Sequence, residues 1–154
     1  MLPKRKNSLR LKDWDYRLPG PYFVTICTSN RSGGFIRPNL FEQDFVRNSI
    51  IEIIKFVGAD LSARIHCFVV AIDHIHLLFS LPDGNIVSLS KFIAIVKVRI
   101  TQYFNRAGKP APTKIWQRSY YEHIIRNEKD FFQKARYIEN HPLKEIGNEY
   151  AEWH

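Results

Sequence analysis

Cysteine is scarce in this chain, which has only Cys27 and Cys67, each within an apolar run and not at zinc-ligand spacing. Neither a disulfide framework nor a cysteine-built zinc site is available, and both thiols read as reduced core residues. Long apolar runs are missing too: nothing approaches the roughly twenty residues that cross a bilayer. The charged N-terminus has no apolar segment behind it, so a soluble, unexported, cytoplasmic protein without a membrane partner is expected. Acidic residues are outnumbered, 15 Asp and Glu against 23 Lys and Arg, giving a formal net charge of +8. That imbalance favours a polyanionic partner, most simply nucleic acid. Internal repeats and low-complexity tracts are also lacking, and 154 residues with 45% apolar content suit one domain with a sizeable core.

What is present centres on Asp73-His74-Ile75-His76-Leu77-Leu78-Phe79. Strict alternation from His74 to Leu81 puts Ile75, Leu77, Phe79 and Leu81 on one face of a strand and His74, His76, Leu78 and Ser80 on the other. Two imidazoles on one rigid strand face can share a metal ion, although a His-x-His pair alone is a weak signal.

The flanking chain supplies a scaffold. Tyr22 to Thr28 reads as a first strand, stopped by the Ser29 to Gly34 turn cluster. From Asn39 to Val57, Phe41, Phe45, Ile50, Ile51, Ile54 and Val57 recur at helical spacing, with Gly58 as the stop. Ile65 to Ile72 and His74 to Leu81 form a hairpin, with Asp73 as a tight link. Ser88 caps a second helix running to about Phe104, its inner stripe being Leu89, Phe92, Ile93, Val96, Ile100 and Tyr103. Tyr120 to Arg126 makes a fourth strand, and Asn127 caps a last helix that reaches His141 before Pro142. Without the last helix the order is βαββαβ, an α+β, ferredoxin-like antiparallel sheet with two helices over one face. The histidine face is then left for function and for the last helix.

Residues 1–20 read as a basic N-terminal arm and 21–154 as a single catalytic domain. Lys4, Arg5, Lys6, Arg10 and Lys12 can neutralise phosphates, while Trp14 can stack on an unpaired base. Arg118, ahead of the fourth strand, completes the candidate DNA contacts. A solvated basic tail is the competing reading of the arm.

The last helix brings Tyr137 and His141 one turn apart, so both can face one side. A phenol beside a third imidazole would complete an open metal site with His74 and His76. Competing readings are a tyrosine that merely packs on the sheet and a histidine placed at a helix C-terminus, where the dipole favours a cation.

Four blocks in order resemble the single-tyrosine HUH transposases, and among them the REP-associated tyrosine transposases. They are Ser8-Leu9-Arg10-Leu11 with Pro19-Gly20-Pro21-Tyr22-Phe23-Val24-Thr25-Ile26-Cys27-Thr28 near the start, Asp73-His74-Ile75-His76-Leu77-Leu78, Trp116-Gln117-Arg118-Ser119-Tyr120-Tyr121-Glu122-His123-Ile124-Ile125-Arg126 and Tyr137-Ile138-Glu139-Asn140-His141-Pro142. The resemblance implies a metal-dependent endonuclease and strand transferase on single-stranded, hairpin-containing DNA, acting as monomer or homodimer. His74 and His76 would bind a divalent cation, Mg²⁺ or Mn²⁺, and Tyr137 would attack the phosphate to give a 5′-phosphotyrosine link. One departure stands out: the family usually has Asn or Gln four residues after the tyrosine, and here His141 takes that place as the third ligand. A nitrogen ligand there moves preference from Mg²⁺ toward Mn²⁺ or later metals. Three alternatives remain at this point. They are a hydrolase using His74, His76 and His141 to activate water, an inactive domesticated relative that only binds DNA hairpins, and an RNA-recognition-like module. The last would want exposed aromatics where the histidines stand.

Overall fold

Alternating strands and amphipathic helices need each other's apolar faces, and the computed structural model, which describes residues 20–29, 31–32, 35–36, 39–84, 86–106 and 115–146, joins them as a two-faced sheet. The elements are β1 (Pro21–Cys27), β2 (Arg31–Ser32), β3 (Phe35–Ile36), α1 (Asp44–Asp60), β4 (Arg64–Val70) and β5 (His74–Ser80). They continue with α2 (Leu89–Arg106), β6 (Tyr121–Ile124), α3 (Glu128–Glu139) and β7 (Lys144–Ile146). Five strands form one sheet in the order β6-β1-β5-β4-β7, every pairing antiparallel, and β2 and β3 make a separate two-stranded ribbon. Leaving β2, β3 and β7 aside, β6-β1-β5-β4 with α1 and α2 is the ferredoxin-like βαββαβ order expected from the sequence.

Parity along the strands decides which residues meet which helices. Tyr22, Val24 and Ile26 of β1, Phe68 and Val70 of β4 and Ile75, Leu77 and Phe79 of β5 are buried beneath α1 and α2. On the opposite face Cys67, Val69 and Leu78 pack with Ile125 and with Phe131, Ala135 and Ile138 of α3. A bulge between Ile65 and Cys67 lets both His66 and Cys67 lie on the α3 side, where His66 meets the Phe131 ring edge-on.

Several boundaries differ from the sequence expectation. Asn39 adopts the left-handed region (φ 59°) and accepts a hydrogen bond from Glu42 N–H, so Phe41 is buried from a turn and α1 starts only at Asp44. Phe45, placed on the inner stripe by spacing, is 55% exposed. Gly58 is no stop. It is buried inside α1, where a Cβ would come within 2.5 Å of Ile65 Cδ1, so its role is a close helix-strand approach. Ser62 (φ 56°) takes the left-handed position that ends the helix, with Ala63 N–H donating to Gly58 C=O. In α2 the deeply buried position near the C-terminus is Phe104, while Tyr103 is only half-buried. Ser88 accepts from Lys91 N–H as expected of a cap. Asn127 likewise accepts from Asp130 N–H at 2.8 Å, starting α3. That helix ends at Glu139, two residues before His141, and the chain then returns as β7 along the free edge of β4.

Candidate active site

Because β5 alternates, His74 and His76 project from the face that α1 and α2 leave open. Their rings are 4.6 Å apart at 70°. Asp73 Oδ1 lies 2.7 Å from His74 Nδ1. A carboxylate only accepts, so Nδ1–H is the donor, and the tautomer this contact selects has its lone pair on Nε2. His76 is deeper, 8% exposed, and stands opposite Thr25 of β1, whose hydroxyl is 2.8 Å from its Nδ1. That contact leaves Nε2 as the nitrogen available to a ligand. Burial, then the neighbouring His74 and His141, push the His76 pKa down to about 4, so the ring is neutral at physiological pH.

Helix α3 supplies the phenol. Phe131, Ala135 and Ile138 are its buried stripe, which fixes its rotation on the sheet. Tyr137 is thereby carried over His76, ring centroids 5.3 Å apart at 77°, yet stays 59% exposed. Phe23 is the floor of this arrangement. Its ring stacks on His76 at 5.4 Å and meets Tyr137 edge-on at 6.1 Å, and Lys134 Nζ lies 5.6 Å from its centroid. A fixed imidazole pair, an accessible phenol and a cation one turn away can together engage a phosphodiester.

His141 is only partly gathered in. Its pKa is lowered, by burial and then by His74, so the histidines do sense one another. Its Nδ1, however, accepts the Leu143 N–H at 3.1 Å. A neutral ring so engaged carries its proton on Nε2 and has no lone pair free there. Among the described residues no three His, Cys, Asp or Glu side chains are grouped closely enough to hold a metal ion. The set of His74, His76 and His141 expected from spacing is therefore assembled as a pair with a third ring nearby.

Of the other sequence candidates, Arg118 is exposed on the loop before β6. Lys4, Arg5, Lys6, Arg10, Lys12 and Trp14 lie outside the described residues. Of the competing tyrosines, Tyr120 is buried and Tyr103 is half-buried on α2, while Tyr121 is exposed on β6. Cys67, pushed up to about 12 by burial and then Glu139, is an inert core thiol. Sequence reasoning missed Thr25, Phe23 and Lys134 and gave Asp73 only a linking role. The alternation of β1 could have put Phe23 and Thr25 on one face, but their partners depend on strand register.

Residues 34–141, well over half of the chain, match the family described as Transposase IS200 like. The chain belongs to the IS200-like transposase family. As a member of it, the protein is a DNA-cleaving and rejoining enzyme. A REP-associated tyrosine transposase of Escherichia coli K12 is 29% identical over 125 residues, spanning 81% of this chain and 67% of that protein. An uncharacterised Haemophilus influenzae protein is 26% identical over 163 residues, spanning 90% of this chain and 88% of the relative. Among solved structures, a REP-associated tyrosine transposase bound to a REP hairpin superposes with a TM-score of 0.59 at 26% identity, covering 86% of this chain and 67% of that one. Among the described residues of this transposase, no helix is long and apolar enough to cross a membrane.

Proposed function

We propose that this transposase cuts single-stranded DNA next to a hairpin, with Tyr137 as the nucleophile. The observation that carries the reading is Tyr137 itself: an exposed phenol on a rigid helix, its ring 5.3 Å from that of a buried neutral imidazole. Its hydroxyl oxygen bonds to the scissile phosphorus as the bond to the 3′-oxygen breaks. The phenolic proton is lost, the 3′-oxygen gains one, and the 5′ phosphate stays on the enzyme as a phosphotyrosine. Attack by a 3′-OH on that link rejoins strands and frees the tyrosine, so no bond energy is lost to water. The hairpin partner is inferred from the solved relative that holds a REP hairpin.

A typical phenol has a pKa of about 10 and is a weak nucleophile near neutrality, so the site must favour its deprotonated form. His74 and His76 would hold a divalent ion, Mg²⁺ or Mn²⁺. Their donor chemistry fits, because Asp73 and Thr25 each engage an Nδ1 and burial keeps His76 neutral. Such an ion, when bound, supplies positive charge for a phosphate oxygen and for the departing proton's site. Asp73 and Thr25 orient the imidazoles, Phe23 sets the height of the Tyr137 ring, and Lys134 adds a cation beside it. His141 would join as a third ligand only after its ring releases Leu143 N–H. The water-activating alternative depends on three histidines acting together, and the described residues do not group them so. The basic arm of residues 1–20 would hold the DNA backbone, with Arg118 beside the fourth core strand.

The test is cleavage of a hairpin-flanked single-stranded oligonucleotide in Mg²⁺ and in Mn²⁺, read on a denaturing gel. Tyr137→Phe keeps the ring but removes the attacking oxygen. It should retain oligonucleotide binding and lose cleavage by at least about a thousandfold, the scale on which a nucleophile counts. Undiminished cutting by Tyr137→Phe would hand the reaction to activated water.

A further inference from the structure

The strand register draws a line across the open sheet face that the proposed chemistry leaves unused. His76 of β5 stands opposite Thr25 of β1, and Thr25 stands opposite Tyr121 of β6. Opposed residues share a face, so His76, Thr25 and Tyr121 form one row, with Tyr121 about 10 Å from His76 at the usual spacing of neighbouring strands. The burial of β6 agrees: Glu122 and Ile124 point under the sheet, while Tyr121 is 55% exposed on the histidine side.

The loop leading into Tyr121 is held unusually firmly for a surface segment. Lys97 of α2 donates from Nζ to Ser119 C=O at 2.9 Å and Gln117 C=O at 3.4 Å. Trp116 donates its indole N–H back to Lys97 C=O and to Thr101 Oγ1. Gln117 N–H donates to Cys27 C=O, tying the loop to the end of β1 beside His74. At its tip Ser119 sits at φ 70°, a left-handed conformation that a serine rarely adopts. The result is a small cleft of about 30 Å³ lined by Cys27, Gln117, Arg118, Ser119, Tyr120 and Tyr121. An exposed aromatic ring on a strand, with a guanidinium on the same cleft, is the chemistry that takes an unpaired base on its face and a phosphate at its edge.

We propose that Tyr121 is a stacking platform for an unpaired base of the DNA flanking the cleaved phosphate, with Arg118 on the adjoining backbone. This rests on the Tyr137 reading for the position of that phosphate. The single strand then runs from α3, over the histidine pair, to the β6 edge. Tyr121 binds and positions; it takes no part in bond making.

Affinity for a hairpin-flanked oligonucleotide, measured by fluorescence anisotropy with EDTA present in the Tyr137→Phe protein, reads this apart from cleavage. Adding Tyr121→Ala should weaken binding roughly 5- to 150-fold, the usual worth of one stacked base. Tyr121→Phe should leave it unchanged. Replacing single nucleotides by abasic ones should reveal one position at which the Tyr121→Ala loss disappears, a coupling that a merely structural role would not produce. Equal affinity with and without Tyr121→Ala, an equal loss with Tyr121→Phe, or no coupled position would overturn the assignment. If Tyr137→Phe still cleaves in the presence of metal, the nucleophile reading fails, while the EDTA binding data still decide on Tyr121.

Discussion

His76 is gripped from three sides, by the Thr25 hydroxyl, the face of Phe23 and the edge of Tyr137. Its burial has a cost in acid. The folded ring titrates at about 4 and the unfolded one at 6.5, so between those values the unfolded chain binds a proton that the folded chain refuses. Stability therefore falls as pH drops through that window, by up to about 3 kcal/mol, and the lowered His141 adds in the same direction. Urea unfolding in EDTA at pH 7 and pH 4.5 checks this, with His76→Gln giving the flatter dependence. At position 141 the Leu143 N–H holds the ring away from a metal-ready state. Restoring the usual family residue with His141→Asn should keep cleavage and shift its metal preference toward Mg²⁺, read from rates in Mg²⁺ and Mn²⁺. That His74 and His76 share one strand face, and that Tyr137 lies on a capped last helix, was legible in the sequence from period two and from Asn127 as a cap. Thr25 and Phe23 were not, since a residue on β1 acquires its partner on β5 only when the register is set.

At the scale of elements, α3 has two tasks: its Phe131, Ala135 and Ile138 stripe covers part of the second sheet face, and its flank carries Lys134 and Tyr137. Its start depends on Asn127, which accepts from Asp130 N–H, so Asn127→Ala should cost about 1 kcal/mol in urea unfolding. The same change should lower cleavage while leaving hairpin affinity nearly intact, because the phenol, and not the binding surface, is loosened. The βαββαβ order could be read from alternation in β1, β4 and β5 and from the helical stripes of α1 and α2. The edge strand β7 could not: Lys144–Ile146 is too short to display a period, and it exists because β4 offers a free backbone edge. Nor could the true end of α1, where Gly58 serves contact with Ile65 and Ser62 makes the turn.

At the scale of the molecule, the described residues form a sheet covered on one side by α1 and α2 and in part on the other by α3, in a chain of net charge +8. If the arm contributes phosphate contacts through Lys4, Arg5, Lys6 and Arg10, deleting residues 1–12 should weaken DNA binding and flatten its salt dependence. Each lost contact removes roughly 0.7 to 0.9 from the log–log slope. An unchanged slope would make the arm a solvated tail. The central claim, that Tyr137 becomes joined to DNA, is tested most directly by mass spectrometry. The parent protein is incubated with a hairpin-flanked single-stranded oligonucleotide and Mg²⁺ or Mn²⁺, trapped in denaturant and digested. The expected result is a nucleotide mass on the peptide containing Tyr137, together with a DNA fragment ending in a free 3′-OH. Cleavage without any adduct, or a nucleotide carried by Tyr103 or Tyr121 instead, would contradict it.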